Sequence, residues 1–154
     1  MIVETKKISK EEWLKKSPAL GIDWGEKRIG IAKSDDTKTI SSPFMQITPK
    51  EALQKLPNII KEWQIDFIIL GLPLNMKNEE TESSEKVHSF AKKLNNILDD
   101  KTNIILFDER LTSSAVETML VGQFDMTRKR RKEITDKLSS SVLLQNFLDL
   151  MKNS

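Results

Sequence analysis

Four acidic side chains stand where a chain of this kind could do chemistry: Asp23, the adjacent Asp108 and Glu109, and Asp136. Asp23 follows the apolar run Ala19-Leu20-Gly21-Ile22, and Asp108-Glu109 follows Ile104-Ile105-Leu106-Phe107. A carboxylate flanked by core residues is costly to bury unless a donor, a cation or a metal compensates it. If the strands bearing Asp23 and Glu109 are parallel and separated by one other strand, their backbones lie about 9–10 Å apart, a gap that two inward-reaching side chains can close onto one or two ions. Asp136, expected on the first turn of the last helix, would lean in from the side. Hard oxygen ligands without a histidine cluster suit Mg²⁺ or Mn²⁺ better than zinc. Such ions activate water and stabilise the leaving oxygen in phosphodiester cleavage. Plainer roles are open to the same residues: Asp136 could serve only the helix dipole, and Asp108 could pair with Arg110.

Just before Asp136 run five consecutive cations, Arg128, Lys129, Arg130, Arg131 and Lys132. Charge runs are commonly solvated loops. A phosphate-binding flank beside the acids accounts for the position of this run as well as its charge. Arg28 and Arg110, each near one of the acids in sequence, join it as candidate nucleic-acid contacts. The single histidine, His88, falls beside the apolar face of a helix, with no acid or nucleophile in the pattern around it, and reads as structural. The tryptophans and phenylalanines are spread along the chain as core residues, and no aromatic platform for single strands is evident.

The elements that must position these groups are legible from periodicity. Ala19–Ile22 and Ile29–Ala32 form a hairpin around the Gly25-Glu26-Lys27 turn. Thr39–Thr48 reads as a third strand, interrupted at Pro43 and so placed at an edge or a bulge. Thr48-Pro49-Lys50-Glu51 is a helix start, and Pro57 argues for a kink or a break in that helix. Phe67–Leu70 and Ile104–Phe107 read as strands buried on both faces. Val87, Phe90, Ala91, Leu94 and Leu98 mark a helix between them. Ala115, Val116, Met119 and Leu120 suggest a short helix, and Ile134 to Met151 the last one. The order β-β-β-α-β-α-β-α implies an α/β protein of ribonuclease H-like fold, a mixed five-stranded sheet with helices on both faces. Residues 1–18 read as an added, helical segment with a capping box at Ser9 and Glu12 and with Trp13 and Leu14 able to pack on the body; residues 19–152 form the nuclease-type domain.

The chain has 154 residues, no cysteine and a net charge of +2. One domain is expected at this length. Disulfides, thiolate metal sites and a cysteine nucleophile are excluded. No apolar run approaches the roughly 20 residues of a membrane span, and the first residues lack the apolar core of a signal peptide, so a cytoplasmic location without membrane contact is expected.

Four stretches resemble one family in register. They are Gly21-Ile22-Asp23-Trp24-Gly25 with Arg28-Ile29-Gly30-Ile31-Ala32; Gly71-Leu72-Pro73-Leu74-Asn75; Asp108-Glu109-Arg110-Leu111-Thr112; and Asp136 through Gln145. Together they resemble the YqgF/RuvX family across residues 19–150. That family is described as Holliday junction resolvases and as nucleases maturing the 5′ end of pre-16S ribosomal RNA. The resemblance implies a Mg²⁺-dependent (or Mn²⁺-dependent) nuclease with Asp23, Glu109 and Asp136 as catalytic acids and metal ligands, Asp108 being a further candidate ligand. Glu109 is preferred to Asp108 because its extra methylene reaches further. The partner would be structured nucleic acid, pre-16S rRNA or branched DNA, and the chain a monomer or a homodimer. This sequence departs from the family in lacking a glycine after Asn75 and in placing serines at 139–141 where alanines are usual. Other readings are a binding factor whose acids are structural, and an actin-like ATPase, for which the chain is short.

Overall fold

The computed structural model describes residues 1–108 and 127–153, the side chains of 131–137 excepted. Glu109, Arg110 and the short helix expected near 115–120 lie outside the described residues. The strands are β1 (Ile2–Val3), β2 (Ala19–Asp23), β3 (Ile29–Ser34), β4 (Ser41–Ile47), β5 (Phe67–Leu72) and β6 (Asn103–Asp108), and the helices are α1 (Lys10–Trp13), α2 (Pro49–Trp63), α3 (Glu82–Ile97) and α4 (Arg128–Lys152). They form one mixed sheet of order β1-β6-β5-β2-β3-β4, in which β1, β6, β5 and β2 pair parallel and β3 pairs antiparallel with both β2 and β4.

The sheet has six strands, not five. Ile2 and Val3 pair with Ile104 and Ile105, adding an edge strand that two residues are too few to announce. Between β1 and β2 lie a 3-10 turn (Thr5–Lys7) and the four-residue α1. Ser9 caps α1 as expected, its Oγ accepting from the Glu12 amide at 3.1 Å. Trp13 is buried and packs on Phe67 and Phe147 with ring centroids 5.0 and 5.4 Å apart, whereas Leu14 stays exposed.

The opposite edge behaves as Pro43 requires. β4 pairs only with β3, and the register shifts between Ile31 and Ala32, placing Met45 opposite one and Pro43 opposite the other. Thr48 and Glu51 close the capping box of α2. That helix continues through Pro57 to Trp63, so the expected break does not occur; packing of Ala52, Leu56 and Ile60 against the sheet outweighs the lost backbone bond.

Side-chain alternation divides the core in two. Leu20, Ile22, Ile68, Leu70 and Ile104 face α2 and α3. Ala19, Phe67, Ile69 and Ile105 face α1 and α4, where they meet Leu144, Phe147 and Leu148. Helices therefore cover both faces.

Candidate active site

Asp23 is the last residue of an interior strand. Even positions of β2 face α2 and α3, and Ala19 and Gly21 face α4, so alternation puts half-buried Asp23 on the α4 face. Beyond it the chain turns tightly: a Cβ on Gly25 would lie 2.6 Å from the Arg28 carbonyl oxygen. Arg28 is exposed at this end of the hairpin. Glu26 is ion-paired with Lys86 of α3, tying the turn to the body.

Ile22, Leu70 and Leu106 stand in one row across β2, β5 and β6. Asp23 is thus at the level of Phe107, one row short of Asp108 and about 10 Å away across two strand spacings. The two acids point to opposite faces. Ile105 and Phe107 belong to the α4 side, while Ile104 and Leu106 belong to the α2–α3 side, and Asp108 alternates with the latter.

α4 reaches Asp23 because of Gly21. The helix packs so closely that a Cβ on Gly21 would stand 3.0 Å from the carbonyl oxygen of Ser140. Farther along α4, Phe147 and Leu148 pack near Ala19 and Phe67, the beginnings of their strands, so the helix runs against β2. Asp136 precedes Ser140 by one turn, about 6 Å back along the helix, as Asp23 lies about 7 Å beyond Gly21 along the strand. Their backbones therefore converge at the carboxyl end of the sheet.

The helix starts earlier than periodicity indicated. Thr127 is its cap, with Oγ1 accepting from the Arg130 amide at 3.2 Å, and the basic run occupies the first turns. Asp136 is consequently the ninth residue of α4, beyond the first turn over which a dipole acts. Arg128, Lys129 and Arg130 are exposed. No acid stands in this first turn to balance them.

Ser139, Ser140 and Ser141, where the resemblance leads one to expect alanines, are buried. Ser141 Oγ donates to the Leu138 carbonyl at 2.9 Å, whereas Ser140 Oγ finds no partner among the described residues. In the turn after Asn75, where the resemblance leads one to expect a glycine, Asn78 takes a left-handed φ of 66°. Two expectations are corrected. His88 does have an acid beside it, its Nε2 lying 2.7 Å from Glu80 Oε1. Trp63 is 41% exposed instead of core, with Lys33 Nζ 3.3 Å from its ring centroid.

Among the described residues no three His, Cys, Asp or Glu groups stand together as a metal site. Asp23 supplies one hard oxygen donor, and the side chains of Glu109 and Asp136 lie outside the description. The donor chemistry suits a hard divalent cation. A cavity of about 680 Å³ bordered by Lys61, Asp66 and Thr102 opens at the other end of the sheet, and neither Asp23 nor Asp108 lines it.

Residues 17–150 match the family described as "RuvX: Holliday junction resolvase". The chain belongs to the RuvX family. It is 37% identical over 138 residues to a protein of Caldanaerobacter subterraneus named "Putative pre-16S rRNA nuclease", covering 88% of this chain and 98% of that one. A like-named protein of Endomicrobium trichonymphae is also 37% identical, over 87% of this chain and 96% of its own. Among solved structures, Thermus thermophilus RuvC in complex with a Holliday junction substrate superposes with a TM-score of 0.52 at 11% identity, over 88% of this chain and 96% of RuvC. That likeness speaks to the fold, which RuvX and RuvC proteins share. The RuvX match spans β2 through almost all of α4, the segment that brings Asp23 and Asp136 to one edge. That Gly21 admits α4 is not announced directly by any motif; the available signal is a glycine inside an otherwise apolar strand.

Proposed function

We propose that the protein is a Mg²⁺-dependent endonuclease that cleaves structured RNA, maturing the 5′ end of pre-16S rRNA. The observation that carries this reading is the convergence of the backbones at Asp23 and Asp136 where α4 crosses β2 at Gly21. Asp23, Glu109 and Asp136 would hold the metal. Asp108 alternates with Ile104 and Leu106 on the side away from Asp23, which favours Glu109 as the second acid. When bound, a divalent ion supplies an activated water and charge stabilisation for the leaving oxygen.

The chain's own residues supply position and attraction. Asp23 sits on a strand paired on both sides, so its carboxylate is held by the sheet and not by a loop. The basic first turns of α4 add their charge to the positive end of the helix dipole and draw the phosphate backbone to the same edge. Arg28, exposed on the hairpin turn, and Arg110 extend that contact. We place the protein in the cytoplasm; no described helix is long and apolar enough to cross a membrane.

Cleavage of a pre-16S fragment by wild type, Asp23→Asn and Asp136→Asn in Mg²⁺ tests the proposal. Both variants should fold normally and lose activity. Undiminished cleavage by Asp23→Asn would sink the mechanism. A branched DNA assayed in parallel, with the mass in solution, tests the resolvase description, because a resolvase presents two sites as a symmetric dimer.

A further inference from the structure

β5 ends at Leu72 on the row of Asp108, and the chain then makes a turn before α3. Asn75 builds that turn. Its Oδ1 accepts from the amides of Lys77 and Glu79, both at 2.9 Å. Its own amide donates to the Glu79 carbonyl and its carbonyl accepts from Asn78, both at 3.0 Å. Leu74 and Glu80 form an antiparallel bridge below. Ser84 Oγ donates to the Pro73 carbonyl, and His88 holds Glu80. At the tip stands Met76, 93% exposed, more than any other large apolar residue described.

A single exposed apolar side chain is ordinary on a protein surface. This one differs in its mount and its place. The turn fixes its backbone through bonds on either side, so the ordering that a ligand would otherwise impose is already present. It also rises from the carboxyl edge of the strand between Asp23 and β6. Met76 is the fourth residue after Leu72, at most about 14 Å of chain from it.

We propose that Met76 is a wedge that enters the base stack of structured RNA lying across Asp23, a reading that rests on the nuclease assignment above. Unbranched, polarizable and apolar, a methionine can part a base step as other apolar wedges do. Lys77, next in the chain, is placed to meet the flanking phosphate. The wedge selects RNA whose stack is already weakened by a bulge, junction or helix end, because opening such a step costs least.

The test uses RNA hairpins carrying 2-aminopurine at successive stem positions, titrated with Asp23→Asn protein so that the strand stays intact. Fluorescence should rise at one or two positions, and Met76→Phe in the same background should preserve the rise. Met76→Ser should bind within about threefold, since phosphate contacts dominate affinity, yet lose the rise at least about fivefold. An undiminished rise with Met76→Ser overturns the wedge. Binding without any rise overturns it too, while leaving the nuclease reading to the cleavage assay. A rise seen only with branched DNA overturns RNA as the occupant, and failure to bind or cut RNA at all removes both readings together.

Discussion

A Cβ on Gly21 would lie 2.6 Å from the Cβ of Leu144, closer than side chains approach. Strand and helix are therefore in backbone-level contact two residues before Asp23 and two turns after Asp136. Gly21→Ala must push α4 outward. It should cost about 1–3 kcal/mol in chemical denaturation, and the shift at the acids should lower cleavage about a hundredfold.

Ser140 lies on the other side of the same contact, its hydroxyl buried and unpartnered among the described residues. Ser140→Ala removes that oxygen and leaves a side chain small enough for the same contact. Stability should rise by about 1 kcal/mol, seen as an increase of about 2–4 °C in melting temperature. A lower melting temperature would mean that the hydroxyl has a partner in solution.

Trp13 makes the first residues part of the core. It is 5% exposed and sits against Phe67 and Phe147. Trp13→Ala should destabilise the whole protein by about 3–5 kcal/mol. A loss below 1 kcal/mol, on the order of an ordinary surface substitution, would show that the segment is dispensable.

Lys38 lies buried behind that segment, its Nζ donating to the Lys15 carbonyl at 2.7 Å. Burial pushes its pKa below 10.5, against the opposing pull of Asp66 and Asp36. The unfolded chain therefore holds the proton over a range in which the folded one has released it. Stability from this group should increase as pH rises through the lowered value and level off above 10.5. Urea denaturation of wild type and Lys38→Met across alkaline pH checks this: the wild type should gain relative to the variant as pH climbs.

The basic start of α4 should reveal itself through salt. Replacing Arg128 and Lys129 by glutamine removes two phosphate contacts, so the slope of log affinity against log salt should fall by about one to two. An unchanged slope would return the run to a solvated surface.

Much of this arrangement could be read before folding because it depends on local rules. Apolar runs marked β2, β3, β5 and β6, and the capping boxes at Ser9 and Thr48 formed as written. Period-two alternation also separates Asp23 from Asp108, once register is known. What could not be read depends on distant partners. Ile2–Val3 becomes a strand only because β6 offers a free edge about two thirds of the chain away. The basic run joins α4 because a threonine cap and the packing of later turns outweigh repulsion near the dipole. Trp63 finds Lys33 and Phe44 at the surface, and no periodicity announces such a contact.

The pairing of Ile2 with Ile104 has a temporal consequence. On the ribosome, the first strand is made early but must wait for β6 before it has a neighbour. At synthesis rates of about 5–20 residues per second, that is roughly 5–20 s of delay. Residues 2 and 3 then close over β6, the strand that leads into Glu109, which turns it from an edge into an interior strand. The sheet is thus sealed by a segment made before either acid, once the acids at 23 and 109 have both been made.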